Sequence, residues 1–332
     1  MAPPMRCTFF LAGEDLEALS RIDPDRDWRE LQTGERAWIL QTFLRLRRAG
    51  HPVELSGTVP EDGLVVFHAK QAKALARQRP RLRDLVLVGA RADNREPLIA
   101  DVEILQNGHF ADGRRRFALP HWPQPGLLPR DPARGARIER IAYKGFSANL
   151  HADFRTPAWT GPLAAEGIEW VVDAVEFAGR NRLELEWPDF HTVDLALAVR
   201  PPERKQRYAK PATKLINAWL AGVPALLGPE PAYRELKRSD FDYLEVASAS
   251  AALEAVARLR RDPGLYLAMV ENGLRRGAEH TPEALVPRWA ELLFETIPQV
   301  AARRGGLSRR LPLPLRVAGR WLSRTAILRP AR

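Results

Sequence analysis

The segment 210–228 constrains the fold more than any other part of this sequence, because it contains a helix, a stop signal and an apolar run in close succession. Pro211 suits the first position of a helix, and Gly222, with a proline two residues later, suits its end. The spacing therefore predicts a helix over 211–221 and a buried strand over 225–228. A helix that leads directly into a buried strand is typical of α/β folds with a parallel sheet.

The predicted helix has two different faces. Its apolar stripe consists of Leu215, Ile216, Trp219 and Leu220. Thr213, Lys214 and Asn217 lie on the other side, towards the amino-terminal end. That end carries unpaired N–H groups and partial positive charge, so the lysines at 210 and 214 predict an anion-binding site. A solvated pair of lysines in an ordinary α/β protein is the alternative interpretation.

The same segment resembles the donor-binding helix of GT-B glycosyltransferases, in which the pattern Lys-Pro-x-x-Lys-Leu-x-x-Ala-x-x-x-Gly-x-Pro recurs. The resemblance covers about 138–297. It implies two Rossmann-like domains with parallel sheets that face each other across a cleft, and a nucleotide-sugar donor as substrate. Many retaining members place a glutamate on this helix to hold the donor ribose, and another earlier in the chain near the sugar. Here Asn217 and Ala209 stand at those positions, so the resemblance leaves Asn217 to bond the ribose through its amide.

Composition is consistent with a two-domain enzyme of a reducing compartment. The chain has 332 residues, 45% of them hydrophobic, and a single cysteine, which excludes a disulfide framework and a cysteine-based zinc cluster. We expect a cytoplasmic protein, because the first residues lack a secretory leader pattern and no run of 18 apolar residues occurs. No Gly-x-Gly-x-x-Gly follows a predicted strand and no Walker pattern occurs, which argues against a dehydrogenase or a P-loop nucleotidase.

Strands and helices alternate in the first part of the chain. Strands are predicted at 7–12, 53–55, 63–67 and 84–89, and helices at 35–48 and 70–79. Four prolines in 121–132 exclude a regular element there. We therefore predict an N-terminal acceptor-side domain over 1–132, a nucleotide-sugar-binding domain over 133–300 and a basic tail over 301–332.

The second domain supplies the predicted donor site. A strand over 137–143 leads into Lys144 and Gly145, which loosely match the glycine turn that GT-B families place near the donor phosphates. A buried run over 193–200 ends at Arg200. The resemblance implies that Arg200, Lys210 and Lys214 surround the pyrophosphate, where their charge stabilises the leaving nucleotide.

Further predictions concern the nucleotide base, metal ions and cofactors. The resemblance places 187–191, which contains Asp189, at the nucleotide base. We expect no metal ion, because no aspartate pair has ligand spacing, and no cofactor besides the nucleotide-sugar substrate.

Two side chains are candidates for the chemistry itself. Glu230 follows the strand over 225–228, in a region that helps to hold the sugar in retaining relatives. His68 follows the strand over 63–67 and is the leading candidate for the base that takes the acceptor proton, ahead of His109 and Asp15. A structural role for His68 is the alternative.

The tail carries nearly all of the net charge. Nine arginines and no acidic residue follow Glu295, and without them the formal charge of +10 falls to +1. Arg316, Arg320 and Arg324 recur every four residues, with Trp321 and several leucines on other faces. This pattern is typical of helices that lie on a membrane surface. An inert basic tail and a nucleic-acid arm are the less favoured alternatives.

These observations together predict a metal-independent GT-B glycosyltransferase that acts on a glycan or lipid-linked acceptor, peripherally at the inner face of a membrane. A noncatalytic GT-B-like binding subunit of a glycan assembly complex is the alternative that keeps the fold. A basic-tailed nucleic-acid-binding protein is the alternative that does not.

Overall fold

The protein is described by a computed structural model, which covers residues 5–78, 85–175, 187–201, 209–303 and 313–327. The described residues divide into two compact units. One belongs to Met1–His121 and Leu285–Arg332, and the other to Trp122–Ala284. Each is built around its own parallel sheet.

The first unit contains a six-stranded sheet in the order β2-β1-β3-β4-β5-β6. Its strands are β1 Cys7–Phe10, β2 Val53–Ser56, β3 Gly63–His68, β4 Leu85–Ala90, β5 Val102–Leu105 and β6 Arg116–Ala118. Its helices before the second unit are α1 Leu16–Ser20, α2 Gln41–Arg48 and α3 Ala72–Gln78. After the second unit come α9 Pro282–Ala290, most of which lies in the first unit, α10 Ile297–Arg303 and α11 Leu313–Ile327. Every pair of neighbouring strands is parallel, which confirms the alternation predicted from the sequence.

The second unit contains a five-stranded parallel sheet in the order β11-β10-β9-β7-β8. Its strands are β7 Arg140–Phe146, β8 Glu169–Val175, β9 Leu195–Ala198, β10 Ala225–Leu227 and β11 Leu244–Glu245. Its helices are α4 Pro157–Ala165, α5 Thr213–Leu220, α6 Pro231–Leu236, α7 Ala249–Arg261 and α8 Pro263–Gly277. The α/β class with two Rossmann-like units is thus confirmed.

Helices cover both faces of the second sheet, because successive side chains of a strand point to opposite faces. In β9, Leu195 and Leu197 pack into a cluster with residues of α4, α7 and α8. Ala196 and Ala198 point to the other face and pack with α5 and α6. Small residues on that face let α5 approach the sheet closely, which places the amino-terminal end of α5 beside the strand ends.

The predicted helix over 35–48 begins as a π-helical turn over Arg36–Leu40 and continues as α2. The side chains predicted to point inward are buried, among them Trp38, Phe43 and Leu46. Gly50 follows with φ +84°, a left-handed conformation that glycine adopts without a steric penalty. The apolar spacing and the stop residue therefore located this helix correctly.

The strand predicted over 137–143 begins three residues later than expected, at Arg140. The reason is Asp194, a fully buried carboxylate. It accepts hydrogen bonds from the guanidinium groups of Arg130 at 2.8 Å and Arg134 at 2.7 Å, and from the backbone N–H of Glu139 at 2.8 Å. Burial opposes this charge, but the hydrogen bonds from Arg134, Glu139 and Arg130 outweigh it and lower the pKa of Asp194. They hold the preceding segment in a turn.

The chain returns to the first unit after residue 284. Trp289 of α9 is buried, and its ring lies 6.0 Å from that of Trp38. The segment after residue 284 therefore completes the core of the first unit, whereas the sequence prediction grouped everything up to residue 300 with the second domain. Large aromatic side chains dominate core packing, so Trp289 determines which unit this segment joins.

Candidate functional site

Polar residues gather where β7, β9 and β10 end and α5 begins, all within the second unit. We call Lys144, Arg200, Lys214, Glu230 and Tyr233 the strand-end cluster. The carboxyl edge of an open α/β sheet is the usual place for a ligand, because loops and helix amino termini meet there. Hydrogen bonds join Lys214 to the carbonyl of Lys144 and Arg200 to Glu230.

Helix α5 begins at Thr213, two residues later than the sequence predicted. Ala212 is its N-cap residue and supplies no side-chain hydrogen bond. Leu215, Ile216 and Trp219 are buried, as the apolar stripe predicted. No side chain caps this helix, so no side-chain oxygen offsets the partial positive charge at its amino-terminal end.

Lys214 points from α5 towards the end of β7. Its Nζ donates to the backbone carbonyl of Lys144 and lies 4.7 Å from the centre of the Tyr143 ring. A Cβ atom at Gly145 would lie 2.5 Å from Nζ, so any other residue would displace the ammonium from this position. Burial, followed by the positive charge of Arg200, lowers the pKa of Lys214 from 10.5 to about 7. An anion would favour the charged form and reverse this shift.

Arg200 and Glu230 form a buried ion pair in which Arg200 Nη1 donates to Glu230 Oε2. Arg200 was predicted to contact the donor phosphates and Glu230 to act near the sugar. The structure brings the two side chains together, so that one carboxylate balances one of the cations. Removing either partner would leave an uncompensated buried charge.

Three buried donor atoms, in the residues that follow β9 and β10 and at the start of α5, have no hydrogen-bond partner among the residues that the structure describes. They are Arg200 Nε, Thr213 Oγ1 and Tyr233 Oη. Tyr233 is 0% exposed, and burial raises its pKa, so its hydroxyl stays protonated. Buried polar atoms of folded proteins nearly always have a partner. A ligand rich in oxygen acceptors, such as a phosphate, offers the kind of partner that these donors lack.

Lys144 lies inside β7 rather than in the turn that the sequence predicted. Its Nζ lies 3.4 Å from Asp173 Oδ2 and 5.5 Å from the centre of the Phe190 ring. Asp173 was missed in the sequence, although parallel strands β7 and β8 place it directly beside Lys144. Tyr143 was also missed. Only the pairing of the strands would have revealed either residue.

Asn217 and Asp189 bond within the protein. Asn217 is 8% exposed, and its Oδ1 accepts from the backbone N–H of Gln124 at 3.0 Å. Asp189 accepts from the N–H of His191 at 2.8 Å, in a segment that pairs with Leu128. Both contacts fix the proline-rich segment to the second unit. Lys210 is partly buried, three residues before α5. Their predicted roles towards a nucleotide stay predictions.

His68 lies in the first unit, at the end of β3, and is 1% exposed. Its Nδ1 accepts from the backbone N–H of Lys70 at 3.4 Å, and Nε2 lies 3.5 Å from Asn94 Nδ2. Burial lowers the pKa of His68 from 6.5 to about 4, so the ring is neutral near pH 7. A neutral ring is the form a general base requires, and its role remains a prediction.

No three histidine, cysteine, aspartate or glutamate side chains gather as metal ligands in the ranges the structure describes.

No protein-family model matches this sequence, and no curated protein matches it. Solved structures do resemble it at low sequence identity. HepE from Anabaena, in complex with UDP, is 14% identical, with 87% of this chain and 99% of HepE covered and a TM-score of 0.50. A mutant of S. aureus TarM, in complex with Fondaparinux, alpha-GlcNAc-glycerol and UDP, is 5% identical, with 76% and 59% covered and a TM-score of 0.50. This chain therefore spans less than two thirds of TarM.

A further match is the sucrose-phosphate synthase of Thermosynechococcus elongatus, which is 14% identical, with 72% of this chain and 74% of that protein covered and a TM-score of 0.49. HepE and TarM are GT-B glycosyltransferases. Likeness at such identities concerns the fold and not the activity. This chain has the fold of the GT-B glycosyltransferases, with two Rossmann-like units.

Proposed function

We propose that this protein is a glycosyltransferase that moves a sugar from a nucleotide-sugar donor to a glycan or lipid-linked acceptor. The observation that carries the proposal is the set of three buried donors at Arg200, Thr213 and Tyr233, at the carboxyl edge of a parallel sheet and beside the uncapped start of α5. A diphosphate supplies the acceptor oxygens that these donors lack. The fold adds support, because proteins of this fold bind nucleotide-sugars.

The donor diphosphate would bind between α5 and the ends of β9 and β10. Lys214 would move its hydrogen bond from the Lys144 carbonyl to a phosphate oxygen, and Arg200 Nε would donate to another. As the bond to the sugar breaks, negative charge builds on the leaving nucleotide, and these fixed cations stabilise it. In this proposal the cations take the place of a metal ion, and Glu230 holds Arg200 in position.

Acceptor binding is assigned to the first unit, where His68 is the proposed base. Its buried ring requires that an acceptor hydroxyl reach past Asn94, which lies beside Nε2. We place the enzyme in the cytoplasm, at the inner face of a membrane, where a lipid-linked acceptor would be presented.

Thermal-shift and calorimetric titrations with UDP, GDP, TDP, CMP and their sugars test the donor site. UDP is the first to measure, because the HepE and TarM structures contain it. Wild type should be stabilised selectively by one nucleotide. Lys214→Ala should weaken that binding about tenfold to a hundredfold, since a charge-assisted hydrogen bond contributes about 1.5–3 kcal/mol.

Lys237→Ala is the matched control, because Lys237 lies in the same unit and pairs with Asp240 at 3.1 Å. It should bind like wild type. If no nucleotide stabilises well-folded wild type, or if both variants lose binding equally, the proposed donor site is wrong.

A noncatalytic binding subunit is the second candidate. It is favoured by Asn217, which stands where many retaining enzymes have a glutamate and whose Oδ1 is bonded to Gln124. Such a protein would bind the nucleotide-sugar without consuming it. Release of free UDP from UDP-sugar by wild type, and not by Lys214→Ala, would count against this candidate.

A further inference from the structure

Helix α11, Leu313–Ile327, contacts the first unit through arginine side chains. Arg316 Nη2 lies 2.6 Å from Asp101 Oδ1, and Arg320 Nη2 lies 2.8 Å from the same oxygen. Arg320 also donates to the carbonyl of Leu98 at 2.6 Å. Arg316 is only 4% exposed, and Val317 packs against the core beneath it. The arginine side of this helix is therefore its inner side.

Over residues 314–321, the outer side of α11 is apolar. Leu315 and Trp321 are each 56% exposed, and Pro314, Ala318 and Gly319 are exposed as well. At about 100° per residue, Leu315 and Ala318 lie opposite the two docked arginines. An ordinary surface helix has the reverse arrangement, with apolar residues inward. Exposed aromatic and aliphatic side chains grouped on one face indicate an interaction surface.

The positive charge of the tail sequence indicates what kind of surface covers the apolar face of α11. The sequence after Glu295 contains no acidic residue, and it has seven arginines besides Arg316 and Arg320. One of these, Arg303 at the end of α10, is exposed. An apolar face in a sequence segment of positive charge complements a bilayer with anionic lipids, where tryptophan is enriched at the boundary between headgroups and acyl chains. No helix in the described ranges is long and apolar enough to span a membrane, so α11 would lie in the plane of the surface.

We infer that α11 is an interfacial helix whose outer face, Leu315, Ala318 and Trp321, inserts into an anionic bilayer while Arg316 and Arg320 remain on Asp101. The two arginines act as a clamp that turns the apolar residues outward and fixes the first unit at the membrane surface. Arg303, exposed at the end of α10, contacts lipid phosphates. This inference does not depend on nucleotide binding, because it concerns a different unit and a different ligand.

Co-sedimentation of the full-length protein with vesicles tests the inference. Vesicles of phosphatidylcholine with phosphatidylglycerol should bind wild type, and pure phosphatidylcholine vesicles should bind it much less. The double variant Leu315→Ser with Trp321→Ser should lose at least about tenfold in partition, because each removed apolar group forfeits burial in the bilayer. Circular dichroism and thermal unfolding should match wild type, since neither side chain belongs to the core.

The matched control replaces Leu267, an exposed leucine of α8 that is 49% exposed, and Phe241, which is 44% exposed, by serine. These residues belong to the second unit, and this variant should bind vesicles like wild type. Sedimentation velocity without lipid tests whether a second copy of the chain, rather than a bilayer, covers the apolar face of α11. The inference is overturned if wild type does not bind anionic vesicles, if both double variants lose binding equally, if the α11 variant keeps it, or if wild type forms a dimer that only the α11 variant abolishes.

Discussion

The strand-end cluster of the second unit and the arginine pair on Asp101 in the first unit both gather positive charge, but they balance it differently. Asp101 receives two guanidinium groups, and Arg320 completes its bonding on the Leu98 carbonyl. In the strand-end cluster, Glu230 takes one bond from Arg200, while Arg200 Nε, Thr213 Oγ1 and Tyr233 Oη have no partner in the described chain. The comparison teaches that cations alone do not indicate a ligand. In the strand-end cluster the indication comes from two buried hydroxyl groups, Thr213 Oγ1 and Tyr233 Oη, that have no partner among the described residues.

The largest expected effect comes from removing the acid of the strand-end cluster. Glu230→Gln leaves Arg200 without its counter-charge in a buried place, and should lower the free energy of unfolding by about 3 kcal/mol. Chemical denaturation measures the loss. UDP or inorganic phosphate should recover part of it, because an anion can replace the carboxylate. Glu245→Gln is the control, since its partner Arg234 is exposed and a surface pair contributes at most about 1 kcal/mol.

An equal loss for Glu230→Gln and the control would mean that the two pairs are energetically alike. If neither UDP nor phosphate restores the stability of Glu230→Gln, the strand-end cluster does not differ from the arginine pair on Asp101 in the way proposed.

A smaller loss of stability is expected when the arginine pair on Asp101 is disrupted. Asp101→Asn removes the charge that holds Arg316 and Arg320, and should cost about 2 kcal/mol. Hydrogen exchange over α11 should rise, and phosphate should not restore stability, because the arginines can reach water when the helix undocks. Glu54→Gln, whose partner Arg6 is exposed, serves as control. Unchanged exchange in α11 would show that Asp101 does not hold it.

The third effect is a pH dependence of nucleotide affinity. The pKa of Lys214 is about 7 in the folded protein and 10.5 when the group is exposed. A bound diphosphate favours the ammonium form, so binding should take up a proton above pH 7, and affinity should fall by up to about tenfold per pH unit between pH 7 and 9. Calorimetry in buffers of different ionisation enthalpy measures this uptake.

Two variants sharpen the pH experiment. Lys214→Ala should bind weakly with no proton uptake from this site. Gly145→Ala should displace the ammonium, since its Cβ would lie 2.5 Å from Nζ, and should weaken binding severalfold while the protein remains folded. Uptake that persists in Lys214→Ala would assign the proton to another group.

The sequence predicted much of the fold because its signals are local. Apolar runs marked β1, β3 and β4, and Gly50 and Gly222, both with positive φ, marked helix ends. The start of α5 was missed by two residues, since the proline rule permits more than one position. The start of β7 was missed because it depends on Asp194, which lies 54 residues from Arg140 along the chain.

The candidate site was predictable only in part. Lys214 and Arg200 follow from helix and strand ends, and the structure brings them together. Glu230 was located after the strand over 225–228, but the buried hydroxyl of Tyr233 was not predictable, because burial depends on packing against distant residues. The amphipathic helix of the tail was predicted, but not which face docks. That depends on Asp101, 215 residues away from Arg316 along the chain.

The pairing of Trp289 with Trp38 has a consequence for synthesis on the ribosome. Residues of the second unit emerge as one uninterrupted stretch, whereas the first unit needs side chains that emerge last, among them Trp289 and Arg316. Domains generally fold in the order in which they emerge. In this chain we expect the reverse order, because all residues of the second unit are synthesised before Trp289 and Arg316 of the first. A truncation after residue 284 should therefore leave an intact second unit and an unfinished first one.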